Sequence, residues 1–398
     1  MGGNKKTIFI LDEAISYGGT IEVTALFTRN FSKEKYRFIF VTSVDASSVA
    51  PKFANNVEIY SFPKPANYTS LARLKSKIRK FPTFINKFVL YSYAVYALIV
   101  NAKYYISVCK VFISRKPDLI HVNNGYFGFY LSKLSKSPLV LHIHGSGAFS
   151  DERDLRFLEQ CNWFIAISEY VKHNMVGSGL DPGKISVIYN AAEVVDVPDA
   201  EIKSLKDTYG VSEHDKVIGF FGRVVEWKGQ KEFLLAVEKL SGYLSDFKVV
   251  IVGDSADDMD TTYIDRLNVL ANQPGLAGKI IFAGYQSNVH PYYEISDLIV
   301  HASIEPEPFG LVIVEAMSHK KPVIVSDLGT PPEIITDGIE GFILNPYNTE
   351  LMAEKMHILL KDDALARNMG EQGYLKVVNA FNPLKQASAI ETIYDSLL

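Results

Sequence analysis

The segment from position 303 to position 317 reads Ser303-Ile304-Glu305-Pro306-Glu307-Pro308-Phe309-Gly310-Leu311-Val312-Ile313-Val314-Glu315-Ala316-Met317. Prolines and Gly310 interrupt the preceding structure, and the apolar run after them predicts a helix that begins near Gly310. The backbone N–H groups of Phe309, Gly310 and Leu311 would then point out of a helix N-terminus, where phosphate binds readily. Glu307 and Glu315 flank this anion site, and each carboxylate can accept hydrogen bonds from paired hydroxyl groups. The layout suits a diphosphate with a sugar on one side and a ribose on the other.

This segment and its continuation resemble the retaining GT-B glycosyltransferases of family 4. The continuation contains Lys321-Pro322-Val323-Ile324-Val325-Ser326-Asp327, Gly329, Pro332-Glu333-Ile334-Ile335, Asp337-Gly338 and Gly341. The resemblance implies an α/β fold of GT-B architecture, in which two Rossmann-like, doubly wound domains face each other across a cleft. It also implies that Glu307 binds the hydroxyls of the transferred sugar and that Glu315 binds the donor ribose.

The pattern along the whole chain independently favours parallel sheets covered by helices, because short β-branched runs alternate with helical stretches. The predicted strands are Thr7–Leu11, Arg37–Thr42, Val57–Ser61, Leu119–Asn123, Leu139–Ile143, Trp163–Ile167, Ile185–Tyr189, Val217–Phe221, Lys248–Val252, Lys279–Ala283, Leu298–Ala302 and Pro322–Ser326. A polar stretch over 193–215 separates the two groups of strands. We therefore predict one domain over 1–190 and a second over 191–382. The resemblance implies that the first lies on the acceptor side, that the second binds the nucleotide sugar, and that a helix over 383–398 packs back on the first.

The loop after the first strand of the second domain carries two cations. It reads Gly222-Arg223-Val224-Val225-Glu226-Trp227-Lys228-Gly229. The resemblance implies that Arg223 and Lys228 contact the donor phosphates, where they would stabilise the charge that builds up as a nucleoside diphosphate departs. In this scheme they replace the divalent metal of other transferases, so no metal and no other cofactor is expected. A solvated pair of cations on a surface loop is the alternative interpretation.

A Gly-rich turn, Ser16-Tyr17-Gly18-Gly19-Thr20, follows the first strand. Such a turn lets the backbone approach a ligand closely, but it lacks the G-x-G-x-x-G spacing typical of NAD-binding proteins. The resemblance implies that Gly19 lies against the donor phosphate and the acceptor. A plain tight turn is the alternative.

Two histidines end the fifth strand, in Leu141-His142-Ile143-His144-Gly145. Strand alternation places both side chains on one face. The resemblance implies that His144 is the active-site histidine that touches the transferred sugar. His142 and His144 could instead bind a metal, although no third ligand with suitable spacing follows.

Two loops of the second domain complete the set of candidates. Gly284-Tyr285-Gln286 lies where the family reads the nucleobase, so Tyr285 is a candidate to stack on the base, with a packed surface tyrosine as the alternative. Residues 254–260 contain four aspartates and could be mistaken for the metal-binding Asp-x-Asp of other transferases. An acidic surface loop is the preferred interpretation.

Composition indicates a soluble protein of two domains, since the 398 residues are 47% apolar and 22% charged. The two cysteines, Cys109 and Cys161, lie in apolar surroundings, which favours buried thiols in a reducing compartment. The N-terminal segment lacks the apolar run of a signal peptide. A cytoplasmic location is therefore expected, including the inner face of the cytoplasmic membrane.

A basic and aromatic segment extends from Tyr68 to Lys116, and no Asp or Glu occurs between Ile59 and Pro117. Its uncharged run Phe88–Ala102 is shorter than the roughly 20 residues that span a bilayer. Cations beside aromatic residues suit an anionic membrane surface, at about 1 kcal/mol per Lys or Arg. A core helix with a solvated basic edge is the alternative. Nucleic acid is not expected as a partner, although a basic patch can bind it.

Taken together, the residues and the resemblance predict a retaining hexosyltransferase. The donor would be a nucleotide diphosphate sugar, with UDP preferred from family frequency, and the acceptor a saccharide or a lipid-linked molecule in surface polysaccharide or glycolipid synthesis. No carboxylate is clearly placed to attack the far face of the sugar, and the resemblance implies a front-face substitution rather than a covalent intermediate. The alternatives are a nucleotide-sugar epimerase or a phosphorylase of the same fold, and a sugar-binding or scaffold protein without catalysis.

Overall fold

A computed structural model describes residues 5–14, 17–64, 83–149, 155, 157–255 and 261–398. Its strands form two separate parallel sheets, which confirms the predicted α/β class. Some of the sequence predictions fall on residues outside these ranges. They concern Ser16, the stretch 68–82 with most of the cations of the basic segment, and the acidic positions 257, 258 and 260.

The first sheet has the strand order β3-β2-β1-β4-β5-β6-β7. Its strands are β1 (Lys6–Asp12), β2 (Tyr36–Thr42), β3 (Val57–Ser61), β4 (Leu119–Asn124), β5 (Leu139–Ile143), β6 (Trp163–Ala166) and β7 (Ile185–Val187). The described helices in this half are α1 (Gly19–Arg29), α2 (Ala46–Val49), α3 (Thr83–Val100), α4 (Ala102–Arg115), α5 (Phe127–Ser135) and α6 (Glu169–Gly177). The order reverses between β1 and β4, and ligands bind parallel sheets at such a point, beyond the carboxyl ends of the strands.

The second sheet has the order β10-β9-β8-β11-β12-β13. Its strands are β8 (Lys216–Phe221), β9 (Phe247–Val252), β10 (Ile280–Gly284), β11 (Leu298–His301), β12 (Val323–Ser326) and β13 (Gly341–Leu344). The described helices are α7 (Asp199–Tyr209), α8 (Gln230–Leu240), α9 (Thr261–Ala271), α10 (His290–Ile295), α11 (Leu311–Ser318), α12 (Pro331–Ile334), α13 (Thr349–Lys361), α14 (Asp363–Ala380) and α15 (Pro383–Leu397). Here the order reverses between β8 and β11, so the loops after these two strands border a second crevice.

Helix α11 begins where the sequence predicts. Gly310 adopts φ +91° and ψ 63°, a left-handed conformation that directly precedes Leu311. A Cβ atom at position 310 would also lie 2.9 Å from Ile313 Cδ1. The positive φ angle therefore favours glycine at this turn.

The last helix, α15, follows the second sheet in sequence but packs against the first. Its buried residues Ile390 and Tyr394 share a hydrophobic cluster with Phe27 of α1 and Phe38 of β2. Asn382 caps the helix, because its side chain accepts hydrogen bonds from two backbone N–H groups of the first turn.

Helices α3 and α4 carry the described part of the basic and aromatic segment. No single described helix is long and apolar enough to cross a membrane. Two consecutive helical segments, Val89–Val100 and Ala102–Arg115, together have the length and composition of a membrane span, but they are bent by 52° relative to each other. Many large apolar side chains of the pair are exposed, among them Tyr96, Ile99 and Ile106. These helices therefore present an apolar surface, although α4 also packs Tyr104, Val108 and Phe112 into the core.

Candidate active site

The carboxylate of Glu307 lies at the centre of the candidate site. Its Oε2 atom is 2.5 Å from Lys228 Nζ, 3.0 Å from His301 Nε2 and 3.1 Å from Ser303 Oγ. Lys228 follows β8 and Glu307 follows β11, the two strands that flank the crevice of the second sheet. Among the described residues, no donor contacts Oε1. The second oxygen of this carboxylate is therefore left for a ligand.

The protein holds Glu307 as an anion. The residue is 7% exposed, and burial by itself would raise the pKa of its carboxyl group. The ammonium group of Lys228 and the hydrogen bond from His301 outweigh that effect, and they keep the pKa of Glu307 well below its usual range. A carboxylate that stays ionised is a good acceptor for sugar hydroxyls.

Arg223 lies on the same loop as Lys228, but it is not part of this ion pair. Its side chain is exposed, and within the described ranges its guanidinium group pairs with no carboxylate. The loop is held through its backbone instead, since Gln230 Nε2 donates to the carbonyl oxygen of Arg223 at 2.8 Å. The guanidinium group is thus available to a ligand at the carboxyl edge of the second sheet.

The N-terminus of α11 meets the first domain at Gly19. A Cβ atom on Gly19 would lie 2.9 Å from Leu311 Cδ1, so the glycine leaves room for the leucine. The ring of Phe309 is buried and packs among aromatic side chains of both domains. Phe309 can therefore offer a ligand its backbone N–H but not its ring. The structure brings the predicted residues Gly19, Phe309, Gly310 and Leu311 together at the interface of the two domains.

Glu315 lies one helical turn further along α11. Its Oε2 atom accepts a hydrogen bond from the hydroxyl of Tyr293 at 2.7 Å. The ring of Tyr293 stacks on Phe221, with 4.0 Å between the ring centroids, which fixes the direction of the hydroxyl. Burial raises the pKa of Glu315. Unlike Glu307, Glu315 forms no ion pair with any cation in the described part of the chain.

Tyr285 lies on the other side of the crevice, after β10, and is 60% exposed. Opposite it, the first domain contributes Tyr17, whose hydroxyl donates to Glu22. Lys52 pairs with Glu22 at 3.0 Å and reaches the carbonyl oxygen of Ser287 at 3.5 Å. Burial and Glu22 raise the pKa of Tyr17, and Tyr285 adds a smaller contribution. An exposed aromatic ring therefore lies at the domain interface, where a base could stack on it.

His144 follows β5 and lies among buried imidazole rings. Its ring centroid is 4.1 Å from that of His142, which in turn is 5.3 Å from that of His121. Burial, with a smaller effect of His121, lowers the pKa of His144 to about 3. The ring is therefore neutral at pH 7, and it can act on a ligand through hydrogen bonds rather than through charge. Among the described residues, no group of three or more His, Cys, Asp or Glu side chains could hold a metal ion.

A carboxylate of the second domain binds a helix of the first. Glu333 accepts hydrogen bonds from the backbone N–H groups of Glu169 at 2.9 Å and Tyr170 at 2.6 Å, and from the hydroxyl of Tyr189 at 3.0 Å. The two N–H groups belong to the N-terminus of α6, where a negative charge is favourable. This contact joins the domains beside the crevice.

Sequence reasoning did not identify His301 and Ser303 as partners of Glu307. His301 is the last residue of β11, and Ser303 lies two positions beyond it, so an extended chain places both side chains on the same face. The histidine at the end of the otherwise apolar strand Leu298–His301 was the sequence feature that could have pointed to a functional role. Asn123 and Tyr293, which contact His144 and Glu315, carried no comparable signal because their partners lie far away in sequence.

Two family models match consecutive parts of the chain. The model described as glycosyltransferase family 4 matches residues 17–194, and the model described as glycosyl transferases group 1 matches residues 201–376. The first matched range covers β2 to β7, and the second covers β8 to β13.

Curated relatives and solved structures agree with these matches. N-acetyl-alpha-D-glucosaminyl L-malate synthase of Bacillus anthracis is 28% identical over 79% of this chain and 83% of its own. The lipopolysaccharide core biosynthesis mannosyltransferase LpcC of Rhizobium leguminosarum bv. viciae is 30% identical over 46% of this chain and 51% of its own. Anabaena HepE in complex with UDP and glucose has a TM-score of 0.77 at 21% identity, covering 98% of this chain and 99% of its own. The likeness to that structure confirms the GT-B fold.

Proposed function

The chain belongs to the GT-B glycosyltransferases of the family 4 and group 1 type, and we propose that it transfers a hexosyl unit from a UDP-sugar with retention of configuration. The observation that carries this proposal is the crevice of the second domain. There, Lys228 and Glu307 are paired beside the N-terminus of α11, and Glu315 lies further along the same helix. The cation and the helix amides match the phosphates of a single ligand. The two carboxylates match its sugar and its ribose.

In the proposed reaction, the bond between the anomeric carbon and the diphosphate oxygen breaks, while the acceptor oxygen bonds to that carbon on the same face. The acceptor proton moves to the departing diphosphate. Arg223, Lys228 and the N–H groups of Gly310 and Leu311 stabilise the charge on the leaving group. These groups supply the positive charge, so the proposed reaction needs no divalent metal.

UDP as the donor nucleotide is supported by the solved relative that contains UDP and glucose. The nucleoside would lie between Glu315, on the ribose, and Tyr285, on the base. The acceptor is proposed to be a saccharide or a lipid-linked molecule, and curated relatives act in lipopolysaccharide core and capsular polysaccharide biosynthesis. These relatives support a role in the synthesis of a surface polysaccharide or glycolipid.

Contact with an anionic membrane surface is part of the proposal, because it would bring the enzyme to a lipid-linked acceptor. The exposed apolar side chains of α3 and α4 support it, and the cations of the same segment suit anionic lipid. The enzyme would then work in the cytoplasm at the inner face of the membrane.

The test is a panel of nucleotide sugars, screened first for thermal stabilisation and then for transfer. A ligand at about 100 times its dissociation constant adds about 2.7 kcal/mol to the free energy of unfolding. The expected result is stabilisation by one UDP-sugar, and transfer to an acceptor with the anomeric configuration retained. Conversion of the donor without any acceptor would indicate an epimerase instead. Binding without turnover of any donor would indicate a sugar-binding protein.

A further inference from the structure

A chain of buried hydrogen bonds joins the last helix to His144. The hydroxyl of Tyr394, on α15, is 2.7 Å from His121 Nδ1. His121 Nε2 is 3.1 Å from Asn123 Oδ1, and His144 Nε2 is 3.3 Å from the same oxygen. Tyr394 and His121 are fully buried and Asn123 is 4% exposed, so these polar groups depend on one another rather than on bulk water.

The amide of Asn123 has one orientation in this chain, and Thr24 determines it. The hydroxyl of Thr24 donates to the carbonyl oxygen of Thr20 at 2.7 Å. Its single proton is thereby used, so Thr24 Oγ1 can only accept from Asn123 Nδ2, which lies 2.7 Å away. The amide oxygen of Asn123 therefore faces both histidines.

An amide oxygen accepts hydrogen bonds and cannot donate them, so the Nε2 atoms of His121 and His144 must both carry protons. A neutral His121 protonated at Nε2 has a lone pair at Nδ1, and the hydroxyl of Tyr394 donates to it. All the hydrogen bonds of the chain are then satisfied at once. If His121 took the other tautomer, two lone pairs would face each other between His121 and Asn123.

We propose that Thr24, acting through Asn123, is a positioning residue that fixes His144 as the Nε2–H tautomer. The inference rests on the proposed function, in which His144 touches the transferred sugar, and adds the direction of that hydrogen bond. With its proton on Nε2, His144 presents Nδ1 as an acceptor for a sugar hydroxyl. A hydroxyl of α1 thus sets the hydrogen-bonding character of this ring, and Tyr394 supports the same arrangement by donating to His121.

The test is the tautomeric state of His144 in protein labelled with ¹⁵N-histidine, read from long-range ¹H–¹⁵N correlation spectra at pH 7. A His144→Gln variant assigns its signals. The wild-type protein is expected to show the Nε2–H pattern for both His121 and His144. An Nδ1–H or a doubly protonated His144 would overturn the proposal. This arm needs neither substrate nor a mutation in the chain of hydrogen bonds, so it is decisive even if the proposed sugar transfer fails.

A Thr24→Val variant supplies the second arm, because it removes the acceptor of Asn123 Nδ2 and lets the amide turn over. It should give a mixture of tautomers at His121 and His144, and lower kcat about 10-fold with the melting temperature monitored in parallel. Thr28→Val is the matched control. Thr28 is also buried on α1, but its hydroxyl donates to the carbonyl oxygen of Thr24. Equal effects of the two variants on the tautomer pattern and on kcat would overturn the proposal.

Discussion

Lys228 Nζ lies 2.5 Å from Glu307 Oε2, although the two residues are 79 positions apart in the chain. Their strands, β8 and β11, are the neighbours between which the order of the second sheet reverses. The fold therefore places a cation and a carboxylate together at the point where a parallel sheet binds its ligand. The pair combines a group that suits phosphate with one that suits sugar hydroxyls.

Replacing Lys228 by Met should lower the rate of sugar transfer by a factor on the order of 10², because the leaving phosphate loses a fixed cation. Glu307 also loses its ion pair, so the free energy of unfolding should fall by about 3 kcal/mol. Steady-state kinetics and urea unfolding would measure the two effects. Lys376→Met is the matched control, since Lys376 pairs with the buried Glu340 at 3.0 Å outside the candidate site. Comparable losses of activity in both variants would argue against a role of Lys228 on the donor.

Replacing Arg223 by Ala should lower transfer about 10²-fold and leave stability unchanged, because its exposed guanidinium group pairs with no carboxylate in the described residues. Arg266→Ala serves as the control. Arg266 is also exposed in the second domain, and its partner, Glu226, is 3.7 Å away. Melting curves and initial rates with a saturating acceptor would separate stability from function. An Arg223→Ala enzyme with normal kcat would remove this residue from the scheme.

Replacing Glu315 by Gln should make the protein more stable and its binding of UDP weaker. Burial raises the pKa of Glu315, so folding at pH 7 to 8 disfavours its charged form and the neutral glutamine avoids that cost. Affinity for UDP should fall about 10-fold, since a ribose hydroxyl loses a charged acceptor. Calorimetry of UDP binding and chemical unfolding would test both. Unchanged affinity would show that Glu315 does not bind the ribose.

Glu294→Gln is a control for the sign of that stability change. Burial would raise the pKa of Glu294, but hydrogen bonds and charge from His319 and Lys321 outweigh it and lower the pKa. The charged form of Glu294 therefore favours folding, and this variant should be less stable at neutral pH. The free energy of unfolding should therefore rise in Glu315→Gln and fall in Glu294→Gln. A change of the same sign in both variants would contradict the raised pKa of Glu315 or the lowered pKa of Glu294.

Acid should destabilise the protein already at pH values well above the ordinary pKa of carboxyl groups. Burial lowers the pKa of His121 to about 4 and of His144 to about 3, and it lowers the pKa of His142 well below its usual value. Below pH 6.5 the unfolded chain takes up protons on these residues and the folded protein does not. Stability should therefore fall by about 1.4 kcal/mol per pH unit for each histidine as pH decreases towards 4.

Unfolding by urea at pH 7.5, 6.5, 5.5 and 4.5 would measure that slope. A His142→Phe variant should reduce this slope by about 1.4 kcal/mol per pH unit, because phenylalanine keeps the ring contact with His144 and binds no proton. A slope insensitive to His142→Phe would contradict the buried, neutral state of this ring.

The surface of α3 and α4 should bind anionic vesicles. We expect the protein to sediment with vesicles that contain phosphatidylglycerol, to stay in solution with phosphatidylcholine alone, and to be released by salt. Serine at Tyr96, Ile99 and Ile106 should abolish sedimentation. Serine at the exposed residues Val269 and Tyr347 of the second domain is the control. Equal sedimentation of both variants would place the membrane contact elsewhere.

Much of the fold could be predicted from sequence because buried parallel strands read as continuous apolar runs. The strands predicted over 57–61 and 139–143 have the observed bounds, and most of the others differ by one residue at one end. Two predictions differ more. The strand predicted over Ile185–Tyr189 ends at Val187, and β13 (Gly341–Leu344) was not predicted. β13 is a four-residue edge strand that begins with glycine, so neither its length nor its composition stands out.

The local part of the site was predictable and the long-range part was not. Pro308 and Gly310 fix the start of α11 by their own backbone preferences, and the two glutamates around it could be assigned by spacing. By contrast, the contacts of His301 with Glu307 and of Tyr394 with His121 depend on which strands and helices pack together. Spacing along the chain does not contain that information.

The most direct test of the account is a crystal structure of the protein grown with UDP and a chelator of divalent ions. The account predicts that the β-phosphate lies within hydrogen-bonding distance of the Gly310 and Leu311 amides and of Arg223 or Lys228. Glu315 should contact the ribose in the same complex. A diphosphate bound away from the start of α11, or bound there only when a divalent metal is restored, would contradict the central claim.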